Sequence, residues 1–472
     1  MNTFTSFNRR EFLRRSICGA LGGVAATSAL GQLGLVAAAT RAKGMVFGDY
    51  KALVCIFLFG GNDSFNTVVP YSAAGYNVYA GSRPAMALSQ SSIQANNLIA
   101  QAASGGLPGG LPSDGASYGL HPAMPELRTL FNDQHAAIVA NVGTLLGPIT
   151  QAQYQSNPAL APPQLFSHDD QANFWQTSRP DDANADGWGG RIADLLHTGN
   201  PNTQLPMTIS LSGQALFQRG AAVDQYVMGS NGVEEIAYLN VYQNEPGIDA
   251  FNALHAQGVQ AHRFERAYAD ANRRAIATYQ MIDAALGVPD PLVTVFPNGS
   301  LGAQLRQVAN LINARDALDM RRQVFFVGHG GFDTHDLQLT EQDRILGALS
   351  EGLAAFHAAT VEMGIADQVT TFTASDFGRT VSTNGDGTDH GWGGHHFVLG
   401  GAVRGGRFYG TMPSLAQGGN PDDAGYGQII PTTGVDQYAA TLATWFGVAP
   451  GDLGTLFPRI GEYATSDLGF MA

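Results

Sequence analysis

Continuous apolar runs of strand length are the feature that most constrains the fold of this chain. The first run is ALVCIFLF (52–59), and the similar runs that follow are AAIVANVG (136–143), MTISLS (207–212), QVFFVGHGG (323–331), QVTTFTASD (368–376) and HFVLGG (396–401). Helical patterns separate several of them, as in PELRTLFNDQ before the second run. Strands that are apolar on both faces are typical of a parallel sheet covered by helices on each side. The sequence therefore predicts an α/β fold with a mainly parallel sheet and helices on both faces.

One long stretch interrupts this alternation. Residues from about 232 to 320 have a helical composition, and FERAYADANRRAIATYQMIDAAL is the clearest amphipathic segment within them. A length of 472 residues alone would allow about three domains. However, the polar residues that suggest chemistry extend from Asp63 to His396 and would have to converge. We therefore expect residues 40–472 to form a single domain with a helical insertion at about 232–320.

Residues 1–39 have the character of an export signal. Arg9 and Arg10 precede a weakly apolar segment, 17–36, which ends in the small residues AAA at 37–39. A twin-arginine pair in this context predicts a Tat signal peptide, which is read by the Tat translocase. The alternatives are an ordinary Sec signal or an uncleaved anchor, but glycine and serine interrupt the segment and make it a poor permanent span. We expect a periplasmic or secreted protein with no membrane span after cleavage.

Charge and cysteine content exclude some classes of function. The formal net charge is −14, so nucleic acid and anionic membranes are poor partners. Cys18 leaves with the predicted signal, and Cys55 then remains alone within the first apolar run. A disulfide within the mature chain is therefore excluded, and Cys55 is predicted to be a small core residue.

Acidic and imidazole side chains follow or precede the predicted strands. The candidate metal ligands are Asp63 after the first strand, Asp333 and His335 after the fourth, Asp376 at the end of the fifth, and His390, His395 and His396 in TDHGWGGHH (388–396) before the sixth. Ligands of open parallel sheets bind outside the carboxyl ends of the strands. Carboxylates and imidazoles together favour zinc or manganese, whereas an all-oxygen set would favour calcium or magnesium. The pattern predicts a divalent metal site at this edge, with zinc or manganese as the ion and calcium as the alternative.

Each of these residues also has a purely structural alternative. Asp63 could cap the helix that follows it, and Asp376 could pair with Arg379. His396 could be a satisfied histidine at the start of a strand. The joint placement of the residues at strand ends, and no single one of them, is what favours a metal site.

Five motifs together carry a resemblance to a known family. They are FGGNDSFNTVVPY, SHDDQANFWQT, GGFDTHD, SDFGRT and DHGWGGHHFVLGG, in this order after the predicted Tat signal. The chain resembles the DUF1501 family of exported bacterial proteins over nearly all of its mature length. That family is grouped by fold with the alkaline phosphatase and sulfatase superfamily. The resemblance therefore implies an alkaline-phosphatase-like fold and metal-dependent hydrolysis or transfer of phosphate or sulfate esters.

The superfamily pattern carries over to this chain only in part. The resemblance implies that Asp63 is the first metal-binding aspartate and that Asp333 and His335 form the later pair, although their spacing is shorter than usual. The next superfamily element is an aspartate followed directly by histidine, but Asp376 is followed by Phe377. His390 could substitute for the missing histidine. The final histidine of the pattern matches His395 or His396 equally well.

A nucleophile is harder to assign. The superfamily uses a serine, threonine or modified cysteine at a helix N-terminus, and Ser167 has that setting, although its hydroxyl could equally be an N-cap. Ser64, beside Asp63, is a second candidate. No Cys-x-Pro-x-Arg stretch exists, which excludes a sulfatase-type formylglycine. Arg379 could hold the anionic charge of a substrate or merely pair with Asp376.

The predicted function is an exported metal-dependent hydrolase of phosphate or sulfate esters. The alternative is a non-catalytic periplasmic binding or assembly protein that retains the fold. A carbohydrate ligand is a third possibility, since Trp175, Trp188 and Trp392 lie near the polar loops in the sequence.

Overall fold

The computed structural model of the chain describes residues 46–103, 106, 108–233 and 245–472. The predicted export signal at 1–39 lies outside the described residues. Within the described ranges, no helix is both long enough and apolar enough to cross a membrane.

The secondary structure alternates between strands and helices. The strands are β1 (Lys51–Phe59), β2 (Val68–Pro70), β3 (Tyr118–Leu120), β4 (Ala136–Gly143), β5 (Thr208–Ser210), β6 (Tyr226–Val227), β7 (Arg322–Gly330), β8 (Val369–Ser375), β9 (Gly394–Leu399), β10 (Phe408–Tyr409) and β11 (Thr433–Gly434). The α-helices are α1 (Ser64–Thr67), α2 (Ala73–Ser82), α3 (Gln90–Ala95), α4 (Pro125–Asn132), α5 (Gln151–Ser156), α6 (His168–Thr177), α7 (Trp188–Leu196), α8 (Glu245–His255), α9 (Arg263–Leu286), α10 (Ser300–Asn313), α11 (Gln338–Glu362), α12 (Val435–Phe446) and α13 (Leu453–Leu456).

One large sheet organises the fold. Its strand order is β10, β4, β9, β8, β1, β7, β5, β6, with β11 also paired to β4, while β2 and β3 form a separate antiparallel pair. The central strand β1 runs parallel to both β7 and β8. Only β9 is antiparallel to its neighbours among the described strands of the large sheet. The predicted α/β class with a mainly parallel sheet is therefore confirmed.

The core lies on both faces of β1. Residues 52–58 are all buried, and successive side chains of a strand point to opposite faces, so both faces are covered. Helix α12 packs against β1 and β4, and α10 packs against β7. Cys55 is a buried free thiol in this core, as predicted from its apolar surroundings.

The connection from β6 to β7 is helical. It contains α8, α9 and α10, which lie within the stretch from 232 to 320 that was predicted to form a helical insertion. Helix α10 packs against α11, and α11 in turn packs against α4.

The register of the sheet brings several loops to one edge. Phe59 at the end of β1 is level with Gly330 of β7, and Leu58 is level with Ser375 of β8. The segments after these three parallel strands therefore begin side by side. Because β9 is antiparallel to β8, the loop that precedes β9 reaches the same edge as the loops that follow its neighbours. The sheet thus gathers the segments 60–63, 331–335, 376–379 and 388–393.

Candidate metal centre

Three histidines and one aspartate meet at this edge. His168 is the first residue of α6, Asp333 and His335 belong to the loop after β7, and His390 precedes β9. The Nε2 atom of His390 lies 3.1 Å from Nε2 of His168 and 3.0 Å from Nε2 of His335. Oδ1 of Asp333 lies 3.3 Å from Nε2 of His168, 3.1 Å from Nε2 of His335 and 3.7 Å from Nε2 of His390. The ligand atoms of His168, Asp333 and His390 all lie within 4.8 Å of one another. These four side chains are called the His–Asp cluster below.

The other nitrogen of each imidazole faces an oxygen acceptor. The contacts are His168 Nδ1 to Asp376 Oδ2 at 2.7 Å, His335 Nδ1 to Asp389 Oδ1 at 3.2 Å, and His390 Nδ1 to the carbonyl oxygen of Phe166 at 2.7 Å. A carboxylate or carbonyl oxygen can only accept, so each Nδ1 must carry the hydrogen. In a neutral ring, Nε2 then presents its lone pair. All three lone pairs are directed to the same place, beside the Asp333 carboxylate.

This arrangement fits a divalent cation. Three lone pairs and a carboxylate oxygen repel one another at about 3 Å unless a positive charge lies among them. Histidines that ligate metals almost always donate their other N–H to a carboxylate or a carbonyl, which fixes the tautomer. His168, His335 and His390 each have such a partner. The His–Asp cluster is therefore chemically suited to hold an ion through three nitrogens and one oxygen.

The charges around the cluster shift its pKa values. The hydrogen bond with Asp376 raises the pKa of His168, and the negative charges of Asp376 and Asp333 act in the same direction. Burial lowers the pKa of His390. Burial opposes ionisation of Asp333, but the hydrogen bond and charge of Arg379 lower its pKa overall. Asp333 is thus held as a carboxylate.

Arg379 is bonded to Asp333 and not to Asp376. Its buried guanidinium donates from Nη1 to Asp333 Oδ1 at 2.9 Å and to the Gly60 carbonyl oxygen at 3.2 Å, and from Nη2 to the Thr388 carbonyl oxygen at 2.7 Å. These contacts join the loops after β1, β7 and β8 to the loop before β9. Since its donors are directed at protein groups, Arg379 supports the cluster and is not free to hold a substrate anion.

Gly60 occupies a position that tolerates no side chain. Its φ is +113°, and an added Cβ would lie 2.3 Å from the backbone nitrogen of Asp333. Its own N–H donates to Asp376 Oδ2 at 3.0 Å, the same oxygen that His168 contacts. Glycine therefore lets β1 end close to both Asp333 and Asp376.

Asp63, predicted as a metal ligand, lies in a buried ion pair. Arg83 contacts its two oxygens at 2.7 Å and 3.0 Å, and both side chains are wholly buried. Asp63 also caps α1 by accepting from the Phe65 N–H at 3.2 Å. The structural alternative considered for Asp63, an N-cap, is present, and no contact joins Asp63 to the His–Asp cluster among the interactions of the described residues.

His395 and His396 belong to β9 and are buried in the core. His395 Nδ1 accepts from the Asn141 N–H at 3.1 Å, and His396 contacts Thr373 and packs against Trp175 with ring centroids 4.6 Å apart and the rings tilted by 56°. Burial lowers the pKa of His395 to about 4 and that of His396 to about 3. Both rings are therefore neutral core groups, as in the structural alternative for His396. Of the three predicted histidines in TDHGWGGHH, only His390 joins the cluster.

The two candidate serines are not placed as activated nucleophiles. Ser167 is the N-cap of α6, where its hydroxyl donates to Asp170 Oδ2 at 2.6 Å and faces the Asp170 N–H. Ser64 is 1 % exposed, and its hydroxyl has no hydrogen-bond partner among the described residues. Neither hydroxyl contacts a histidine that could act as its base.

His168 and Asp389 were missed in the sequence. His168 lies in the motif SHDDQANFWQT, directly after Ser167, the candidate nucleophile. A histidine at the first turn of a helix, beside motifs rich in Asp and His, was the signal that could have identified it. Asp389 directly precedes His390 in TDHGWGG. Its contact with His335 Nδ1 is visible only in the structure, because His335 is distant in sequence.

The fold and the cluster together define an α/β protein with a candidate metal centre at the carboxyl edge of its sheet. The family model described as "Protein of unknown function (DUF1501)" matches residues 50–424. The chain belongs to this family. No curated protein matches the sequence.

Solved structures show only a distant likeness. The lipoteichoic acid synthase LtaP from Listeria monocytogenes is 9 % identical with a TM-score of 0.35, over 89 % of this chain and 79 % of that one. The C-terminal periplasmic domain of EcEptC from Escherichia coli is 11 % identical with a TM-score of 0.32, over 88 % of each chain. The PsFucS1 sulfatase from Pseudoalteromonas sp. is 11 % identical with a TM-score of 0.31, over 93 % of this chain and 74 % of that one. The chemistry therefore has to rest on the site itself.

Proposed function

We propose that this protein is an exported, metal-dependent hydrolase of phosphate or sulfate esters. The observation that carries the proposal is the convergence of three imidazole Nε2 atoms on the Asp333 carboxylate, with every Nδ1 bonded to an oxygen. The export step rests on the twin arginines at positions 9 and 10, and it would deliver the protein to the periplasm or the medium.

The donor set favours zinc or manganese over calcium. His168, His335 and His390 would supply nitrogen and Asp333 oxygen, whereas calcium prefers six to eight oxygens. When bound, such an ion supplies a Lewis acid that polarises an ester oxygen and lowers the pKa of water. The side chains of the cluster are 25–50 % exposed, so the site is open to solvent. Four protein donors would fill a tetrahedral shell, so an ester or water would have to enter as a fifth ligand, an expansion that catalytic zinc sites can undergo.

The negative charge around the cluster should make the binding of an anionic substrate depend on the bound metal ion. Asp333, Asp376 and Asp389 contribute three negative charges and Arg379 one positive charge, a net charge of roughly −2. An anionic ester would be repelled by the cluster alone. A divalent cation offsets this charge, so binding of the ester and of the ion should be coupled.

Water is the nucleophile that we propose. The Ser167 hydroxyl is engaged as a helix cap and Ser64 is buried, so neither is presented to a substrate. The same observation also favours the second candidate, a non-catalytic binding or assembly protein that uses the metal centre only to hold an anionic ligand.

Trp175, Trp188 and Trp392 are 1–3 % exposed and offer no stacking surface to a sugar, so we do not propose a carbohydrate ligand.

Elemental analysis combined with turnover tests the proposal. Protein purified without chelator would be analysed for Zn, Mn, Fe and Ca and then assayed with p-nitrophenyl phosphate and sulfate. Asp333→Asn should lose the metal and the turnover together. Asp316→Asn, in an exposed ion pair with Arg321, is the matched control and should retain both. Stoichiometric metal without turnover would favour the binding protein, and protein that takes up no ion would refute the metal centre.

A further inference from the structure

The buried pair of Asp63 and Arg83 lies in a fully bonded polar network, in which Arg83 makes five hydrogen bonds. Besides the two carboxylate contacts, Arg83 donates to the carbonyl oxygens of Thr380 at 2.6 Å and Val381 at 2.9 Å, and to Asn66 Oδ1 at 2.8 Å. Such a pair is costly to desolvate and is weak evidence for stability. The pair is also bonded beyond itself, because the Asp63 carboxylate accepts from Gln338 as well.

A polar chain leads from Asp63 toward the His–Asp cluster. The carboxylate of Asp63 accepts from the Gln338 amide, which fixes the orientation of that amide. Gln338 Oε1 then accepts from the Thr388 hydroxyl at 2.6 Å. The Thr388 hydroxyl in turn faces Arg379 Nε at 3.4 Å. Each donor is therefore directed the same way, from Arg379 through Thr388 and Gln338 to Asp63, and such chains polarise one another.

The chain contacts one member of the cluster, Asp333, and also holds the loop that carries a second, His390. Arg379 contacts Asp333 Oδ1 at 2.9 Å, and the Asp333 side chain is half-exposed. Thr388 precedes His390 by two residues, and its carbonyl oxygen is held by Arg379 at 2.7 Å. The orientation of Asp333 and the course of the loop that carries His390 therefore depend on the same buried bonds.

We propose that Gln338 and Thr388, anchored by Asp63, are positioning residues that set the affinity of the His–Asp cluster for its ion, although neither contacts the cluster. Gln338, the Thr388 side chain and Asp63 act through Arg379, which holds Asp333 directly. The inference rests on the metal centre of the proposed function and adds the residues that hold it in shape.

Thr388→Val is the most direct variant, because it removes one hydroxyl and changes the volume little. It leaves Gln338 Oε1 and Arg379 Nε without this partner. Zn²⁺ affinity, measured by competition with a chelator, should fall 10- to 100-fold, as expected when an outer contact of a metal site is lost. Thr388→Ser keeps the hydroxyl and should therefore keep an affinity close to that of wild type. Gln338→Met is the second variant and should act in the same direction while Asp63 keeps Arg83.

Thr360→Val is the matched control. Thr360 is also buried, donates only to the His357 carbonyl oxygen, and lies in α11 roughly 33 Å along the helix axis from Gln338. Its loss should lower the melting temperature of the metal-free protein about as much as Thr388→Val does, without changing Zn²⁺ affinity. Wild-type affinity in both Thr388→Val and Gln338→Met would overturn the proposal.

The imidazole ¹⁵N signals of the metal-free protein separate this inference from the proposed function. Thr388→Val should shift the signals of His390 and His335, and Thr360→Val should not. If the wild-type protein binds no Zn²⁺, the metal centre fails and the effect on affinity fails with it, but a shift in Thr388→Val would still show that Thr388 positions the histidines. Unchanged signals in that case would refute the positioning role as well.

Discussion

Nδ1 of His168 lies 2.7 Å from Oδ2 of Asp376, and this contact bonds the first residue of α6 to the end of β8. The same oxygen accepts from the Gly60 N–H at 3.0 Å. Asp376 thus orients the His168 ring and the turn after β1 at once. It contributes to the candidate metal centre through His168, whereas the sequence pattern suggested it as a direct ligand.

His168→Ala should abolish most metal binding. The variant removes one of three converging nitrogens and leaves the Asp376 carboxylate without its partner, so we expect at least a 10-fold loss of Zn²⁺ affinity. The His168 side chain is 30 % exposed, and the protein should stay folded. Metal content and circular dichroism would be measured together. His255→Ala, in α8, is the control and should retain the metal. A His168→Ala protein with full metal content would exclude His168 as a ligand.

Gly60→Ala should destabilise the protein and weaken the metal centre. A residue other than glycine is strained at φ +113°, and the new Cβ would lie 2.3 Å from the Asp333 nitrogen. We expect a loss of at least about 2 kcal/mol in the free energy of unfolding, measured in urea. Gly330→Ala, at the end of β7, meets no atom within 4 Å and serves as the control. Equal unfolding free energies for the two variants would contradict this account of Gly60.

Much of this fold could be predicted from the sequence because its strands are buried on both faces. The run ALVCIFLF predicts β1 to within a residue, since few other elements place eight apolar residues in succession. The direction of β9 could not be predicted, because apolar periodicity carries no information on strand polarity. That direction brings His390 to the edge where β7 and β8 end.

The candidate site was predictable only in part. Sequence position indicates which polar residues follow strands, but it does not show which partner each will meet. Arg83 lies 20 residues from Asp63 in the sequence and contacts the Asp63 carboxylate, so this carboxylate is engaged in an ion pair. His168 comes from a helix start distant in sequence from the other three members of the cluster. Only the packing of α6 against β8 brings it there.

The free energy of unfolding should decrease as the pH is lowered, because of the buried histidines. Burial lowers the pKa of His396 to about 3, against about 6.5 in an unfolded chain. Between these values the unfolded chain binds a proton that the folded chain does not, so stability is lost as the pH falls from about 6.5. The loss is about 1.4 kcal/mol per pH unit for each such group. His395, whose pKa is lowered to about 4, contributes in the same direction over a narrower range.

His396→Phe should make this pH dependence less steep. The ring packs against Trp175 and lies near Tyr438, so phenylalanine can keep the packing while losing the contact with Thr373. Between pH 6 and 4, the unfolding free energy of the variant should fall less steeply than that of wild type by roughly 1 kcal/mol per pH unit. The two slopes would be measured by urea denaturation at several pH values. Parallel slopes would show that His396 is not a neutral buried group.

Ser167 can be tested as cap and as nucleophile with two variants. Its hydroxyl caps α6, so Ser167→Ala should lower the unfolding free energy by about 1 kcal/mol, while Ser167→Asn keeps a capping oxygen and an N–H donor for Asp170 and should lose little. If water is the nucleophile, both variants should retain metal and whatever ester turnover the wild-type protein shows. If both lose turnover while Ser167→Asn keeps wild-type stability and metal content, the hydroxyl itself reacts. The cap would then have a second role, and the water mechanism would be wrong.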